Sequence, residues 1–164
     1  MTVYERFTVG DVFESGTHRF TAEEIKRFAG AYDPQPFHID EAAAEQSHFG
    51  ALCASGWHTG AVMMRHFVRH FTGEIERAMA RSEPAPPLGP SLGFDDLKWM
   101  KPVYAGDEIA FSGKVVAKRE SGSRPGWGIV SIESIGVNQK GEQVFTCTGH
   151  VFVAMAGRQG RSGL

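Results

Sequence analysis

The sequence predicts an α+β domain in which an antiparallel sheet wraps one long central helix. Two observations predict it. One apolar stripe of helical period runs from Trp57 to Ile75, and beyond it the period changes to the partial alternation of β-branched strands, through to Ala154. The sheet has to wrap that helix, because no second helical layer is available to cover its inner face.

Ahead of the stripe, Thr21-Ala22-Glu23-Glu24 is a capping box, in which hydroxyl and carboxylate satisfy free N–H groups at a helix start. Ile25, Phe28, Ala29 and Tyr32 then recur at helical spacing. Asp33-Pro34 stops the helix, since the residue before a proline is biased away from helical backbone. A loop stiffened by Pro34 and Pro36 follows. Asp40 is placed to cap a second short helix from Glu41 to Gln46, with Phe49-Gly50 as its end.

Trp57, Ala61, Met64, Phe67, Val68, Phe71 and Ile75 make the stripe continuous, with Arg65, Arg69 and Glu76 on other faces, so the helix is expected to be long and largely buried. Ser82 through Pro90, with its prolines and glycine, reads as a connector. Leu92–Lys98 reads as the first strand of the second half. Further strands are expected at Glu108–Val116, Gly128–Ile135 and Gln143–Ala154, from their β-branched content. Ala105-Gly106-Asp107 and Lys140-Gly141 supply turns between them, giving an antiparallel meander. A meander wrapped on one helix is the hot-dog arrangement. The expected domain is 1–156, followed by a flexible Gly- and Arg-rich tail over 157–164.

The chain has 164 residues, 41% hydrophobic and 22% charged, which is enough for one core and too short for two comfortable domains. A formal net charge of -2, with both signs interspersed, argues against a nucleic-acid partner and for a small molecule. Cys53 and Cys147 are far apart in a chain that needs no covalent staple, so reduced thiols in the cytoplasm are expected. Met1 to Arg6 has no signal-like apolar run and no later stretch is apolar for long enough to span a bilayer. The expectation is a soluble, intracellular protein with no membrane partner.

The segment Phe28 to Asp40 places Asp33 and His38 on one proline-stiffened loop between two helices. A general acid/base pair needs such stiffness, because ordering it at each turnover would cost catalytic free energy. Phe49-Gly50-Ala51-Leu52-Cys53-Ala54-Ser55-Gly56-Trp57-His58 then brings Gly56 to the first turn of the long helix. There unpaired backbone N–H groups and the helix dipole favour negative charge. A substrate carbonyl approaching Gly56 meets no β-carbon, and the amide would stabilise negative charge developing on its oxygen as an oxyanion hole does.

The Phe-Ala helix, the Asp33 to Asp40 segment, Phe49-Gly50 and the Ser55-Gly56 helix start resemble the signature of MaoC-like dehydratases and (R)-specific enoyl-CoA hydratases (hydratase 2). Lys101-Pro102-Val103-Tyr104-Ala105-Gly106-Asp107 and the Asn138-Gln139-Lys140-Gly141 hairpin are similar to that family too, so the resemblance covers roughly nine-tenths of the chain. It implies a hot-dog homodimer, or a higher even oligomer, whose sheets join edge to edge. It further implies acyl-CoA or acyl-carrier-protein thioesters as substrates and Asp33 and His38 as the catalytic pair. The expected reaction is reversible hydration of a 2-enoyl thioester by syn addition, with CoA entering only as part of the substrate and no separate cofactor. An imidazole titrating near neutrality and a carboxylate raised by desolvation would suit such exchange. The residues expected to contact substrate are Tyr32, Gln35, Phe37, Ser55 and Trp57. Crowding by Tyr32, Phe37 and Trp57 suggests a short or branched acyl group.

The chain departs from the family pattern in having Gln35-Pro36 where Asn-Pro is common and Ala31-Tyr32 where Ser-Gly is common. It also has Ala61, Val62, Met63 and Met64 where a serine tends to stand in the long helix. These changes leave the acid/base pair intact and fall on substrate positioning.

Taken singly, Asp33 reads as a helix-ending turn residue and His38 as a loop histidine bonded to backbone; the flanking motif and Gly56 turn both toward function. Gly56 also reads as a glycine kept for close helix packing, and Trp57, at the head of the stripe, as a core residue. Asp40 is assigned to capping. His66 and His70 have the i, i+4 spacing of zinc ligands but no accompanying Glu or Cys arrangement, and no metal is assigned. His48, His58 and His150 receive no role. The alternatives are a hot-dog thioesterase, since fold does not fix reaction, and a non-catalytic acyl-thioester sensor or auxiliary subunit. No acidic residue opens the long helix in the usual thioesterase manner.

Overall fold

The structure is a computed structural model that describes residues 3–83, 85 and 88–155; the expected tail lies outside them. The elements in order are α1 (Val3–Arg6), β1 (Val12–Arg19), α2 (Ala22–Tyr32), α3 (Pro36–Ile39), α4 (Glu41–Glu45), α5 (Gly56–Ala80), β2 (Leu88–Trp99), β3 (Glu108–Glu120), β4 (Trp127–Asn138) and β5 (Gln143–Ala154).

Thr21 caps α2, its hydroxyl accepting from the Glu24 amide at 3.3 Å, but the reciprocal half of the box is not made. The Glu24 carboxylate turns instead to His18, with Oε1 2.5 Å from Nε2. Asp33 is the C-cap of α2, as Pro34 requires. Asp40 caps α4 through an Oδ1 contact of 2.7 Å to the Ala43 amide. Part of the expected loop is a helical turn, α3, which Pro36 opens at its first position, where a missing N–H costs nothing.

The five strands form one antiparallel sheet in the order β1-β3-β4-β5-β2. The β3-β4-β5 meander stands where the sequence placed it, and two features correct the reading. Leu88–Pro90 belong to β2 rather than to a connector, and β2 lies at the far edge of the sheet, paired with β5. The other edge is β1, which the sequence reading passed over. Its Gly16 has φ +133, at a bulge, and a β-carbon there would stand 2.6 Å from the His66 imidazole.

The sheet wraps α5, which is the hot-dog arrangement. One apolar cluster, beside the loops that follow α2, gathers Phe20, Ile25, Leu52, Val62, Met63, Val103, Ile109, Phe111, Val144 and Phe145. A second gathers Tyr4, Val115, Val130, Ile132, Val151 and Val153, and Phe67 packs against both. Burying side chains of this kind is worth roughly 1.5–3 kcal/mol each.

The face of α5 turned to this core takes in only part of the expected stripe: Met64, Phe67 and Phe71 pack against the two clusters. His58, Thr59, Val62, Met63 and His66 are buried, whereas Trp57, Ala61 and Val68 are exposed, Trp57 by 61%. More than half the circumference of α5 is apolar, so a period of 3.6 locates two possible inner faces and cannot choose between them. No helix among the described residues is long and apolar enough to cross a membrane. Both cysteines are free and buried.

Candidate active site

Asp33 closes α2, His38 stands on α3, and Ser55 and Gly56 open α5. Three backbone bonds bring these elements together. The Cys53 amide donates to the Phe37 carbonyl, the Ala54 amide to Val103 at 2.7 Å, and the Ala105 amide to Leu52 at 3.0 Å. The segment before α5 is thereby threaded between α3 and the Lys101–Asp107 loop, and the Tyr104 hydroxyl fastens that loop to the Phe49 carbonyl.

His38 is buried, and its Nδ1 lies 2.6 Å from the Cys53 carbonyl oxygen. A carbonyl only accepts, so Nδ1 carries the proton and Nε2 of the neutral ring is a bare acceptor. That Nε2 faces Asp33 Oδ2 at 3.6 Å, too long for a hydrogen bond.

Asp33 is held from two sides. The Ser55 hydroxyl donates to Oδ2 at 2.7 Å and the Gln35 amide to Oδ1 at 2.8 Å. Ser55 in turn accepts from the Trp57 amide at 3.2 Å, so the cap of α5 ties the carboxylate to the positive end of the helix. Burial alone would raise the Asp33 pKa, but the bonds from Ser55 and Gln35 and, when its ring is protonated, the attraction of His38 hold it below the ordinary carboxylate value. The carboxylate is therefore ionised at neutral pH, which corrects the expectation of a raised pKa.

These residues line a cleft of about 480 Å³, together with Phe37, Phe49, Thr59, Trp99, Met100, Lys101, Val103 and Val144. Gly56, at the first helical position, has no intrahelical acceptor for its amide. Its lack of a side chain has a specific cause: a β-carbon would stand 2.4 Å from the Trp99 indole. Trp57 and Trp99 meet edge to face at 5.1 Å on the exposed side of the cleft.

Of the residues expected to contact substrate, Gln35, Phe37, Ser55 and Trp57 line the cleft and Tyr32 does not. Tyr32 is 75% exposed and packs on Phe28. Helical spacing linked it to the buried side of α2, but it occupies the last turn, past the covered part. Trp99, Thr59 and the Cys53 carbonyl were missed. An aromatic residue two positions before Lys101-Pro102 was an available signal for Trp99. A backbone carbonyl leaves no mark in a sequence. His66 and His70 do not converge: His66 stacks toward Phe111 and His70 on Phe13.

Residues 7–137 match the family model described as MaoC like domain. The chain is similar to the uncharacterized protein YdeM of Bacillus subtilis, with 30% identity over 142 residues, covering 86% of this chain and 91% of that protein. Among solved structures it is similar to a MaoC-like dehydratase from Rhodospirillum rubrum, at 39% identity and a TM-score of 0.78, covering 96% of this chain and 99% of the other. It also shares its fold with the R-hydratase PhaJ1 of Pseudomonas aeruginosa, at 23% identity and a TM-score of 0.66, covering 98% and 95% of the two chains.

Proposed function

Because the chain belongs to the MaoC-like domain family, we propose that it is a hydro-lyase that reversibly adds water across the 2,3 double bond of a 2-enoyl thioester. The observation that carries this reading is the pair of acceptors, His38 Nε2 and Asp33 Oδ2, facing one another beside the first turn of α5.

Two acceptors side by side suit a water molecule that donates one O–H to each. Asp33, ionised and fixed by Ser55 and Gln35, orients the water, and His38 Nε2, whose ring proton is on Nδ1, takes its proton. The oxygen bonds to C3 as the π pair shifts toward C2 and the carbonyl oxygen. The Gly56 amide and the dipole of α5 stabilise the negative charge on that oxygen. Imidazolium, held by the Asp33 anion and the Cys53 carbonyl, then returns the proton to C2. One pair serves both carbons, so addition is syn, and dehydration runs the same steps backwards.

The thioester is presented by CoA or by an acyl carrier protein, and the reaction needs no separate cofactor. The functional unit is a homodimer. Trp57, Ala61 and Val68 along α5 and Leu92 and Phe94 on the open edge of β2 form an uncovered apolar face, which a second copy joined edge to edge through β2 would bury. Free thiols fit a cytoplasmic setting.

Incubation with (3R)- and (3S)-3-hydroxybutyryl-CoA tests the reaction. Enoyl absorbance should grow with the R isomer only. Free thiol instead of enoyl product would indicate a thioesterase, and binding without either product a sensor.

A further inference from the structure

The polar side chains of the cleft are nearly all engaged. Ser55 and Gln35 bond to Asp33, His38 to the Cys53 carbonyl and Lys101 to Glu142. Thr59 is different. It is only 2% exposed, it lines the cleft, and its hydroxyl makes no hydrogen bond with any described residue. A helical threonine commonly returns its hydroxyl to the carbonyl four residues back; here Ser55 O receives the Thr59 amide, at 3.2 Å, and not the hydroxyl.

That hydroxyl keeps enough open surface to be reached from the cleft, since it is not among the side-chain atoms that are both buried and unpartnered. Ala54, Val103 and Val144 are buried apolar residues of the same cleft, and its other buried polar side chains, His38 and Ser55, are already bonded. The Phe145 ring, 3.8 Å from where a β-carbon at Gly60 would stand, packs against the next stretch of α5. Trp57, Trp99 and Met100 stand at the exposed end, which assigns the thiol carrier to that side and the acyl group to the Thr59 side.

Resting on the hydratase reading above, we propose that Thr59 is a specificity-determining residue whose hydroxyl bonds an oxygen on the acyl group beyond the reacting carbons. Thr59 lies three residues past Gly56, about 4.5 Å along the helix axis, roughly the reach from a C1 carbonyl at Gly56 to C4 or C5. The favoured substrates are therefore 2-enoyl thioesters oxygenated at that depth, in preference to alkyl ones of the same shape.

The test compares 4-hydroxypent-2-enoyl-CoA with 4-methylpent-2-enoyl-CoA, which exchange a hydroxyl for a methyl at one position. Wild-type protein should favour the hydroxy compound in kcat/KM by about tenfold or more. Thr59→Val should reverse the preference and Thr59→Ser should keep it. Calorimetric binding of the corresponding saturated acyl-CoAs runs alongside. Turnover of both substrates without discrimination, or an equal loss on both in Thr59→Val, overturns the role of Thr59 and leaves the hydratase reading standing. Discrimination in binding with no turnover of either compound supports Thr59 and overturns the hydratase reading.

Discussion

His38 Nε2 faces Asp33 Oδ2 at 3.6 Å as acceptor to acceptor, because the proton of the neutral imidazole is committed to the Cys53 carbonyl on the opposite side of the ring. Neither group can satisfy the other while the ring is neutral. What does satisfy both is a donor with two hydrogens, which is the nucleophile of a hydration reaction.

Ser55 is the residue that holds Asp33 in this arrangement, since it alone joins Oδ2 to the cap of α5. Ser55→Ala removes a charge-assisted hydrogen bond worth about 1.5–3 kcal/mol, so kcat should fall about 10- to 100-fold with a smaller change in KM. The Asp33 pKa should rise toward the ordinary carboxylate value, which carbon-detected NMR titration of the labelled side chain would follow.

Gly56→Ala drives a methyl group into the Trp99 indole. Overpacking of this kind costs about 1–3 kcal/mol, and displacement of the ring disturbs the oxyanion site, so kcat should drop about 100-fold. Trp99→Ala in the same chain should return most of the stability in thermal melts, because the clash has a single named partner.

His58 is buried between Phe28 and Phe20 with its Nδ1 unpartnered, and its Nε2 is 3.8 Å from Glu24. Burial pushes its pKa down to about 4; Glu24 partly opposes that shift, and the positive charges of His18, Arg65 and Arg27 reinforce it. The unfolded chain therefore binds the proton first as pH falls. Stability from this group is present above about pH 6.5 and lost progressively toward pH 4, by roughly 3 kcal/mol in all. Urea melts of wild type and His58→Phe should show a smaller acid-side loss in the variant; equal losses would refute the assignment.

The uncovered apolar face predicts assembly. Phe94→Lys on the open edge of β2, or Val68→Glu on α5, places a charge on a surface that a second copy would bury. Sedimentation velocity should show wild type as a dimer and both variants shifted toward monomer. A monomeric wild type would contradict this.

How far all this was legible depends on the kind of interaction. The meander, the α2 end at Asp33 and the α5 start at Gly56 follow from local chemistry, namely β-branched runs, a proline and a helix cap, and these carry the proposed acid/base pair and the proposed oxyanion glycine. β1 was hidden because Val12–Arg19 has only Phe13 as a large apolar side chain packed inward and is broken by Gly16. The apolar stripe of α5 was assigned to the right neighbour only in part: Met64, Phe67 and Phe71 pack on the core beside Val62 and Met63, while Trp57, Ala61 and Val68 are left exposed. The Asp33 pKa was misjudged because burial and hydrogen bonding act in opposite directions, and the Ser55 donor lies 22 residues away in sequence.

The most direct test of the central claim follows the ultraviolet absorbance of crotonyl-CoA with purified wild type, Asp33→Asn and His38→Ala, with a thiol reagent in a parallel sample. The account predicts loss of the enoyl signal without free thiol in wild type, and at least a 100-fold slower loss in each variant while both keep the wild-type fold and assembly. Near-normal turnover by either variant, or thiol release by the wild type, would contradict it.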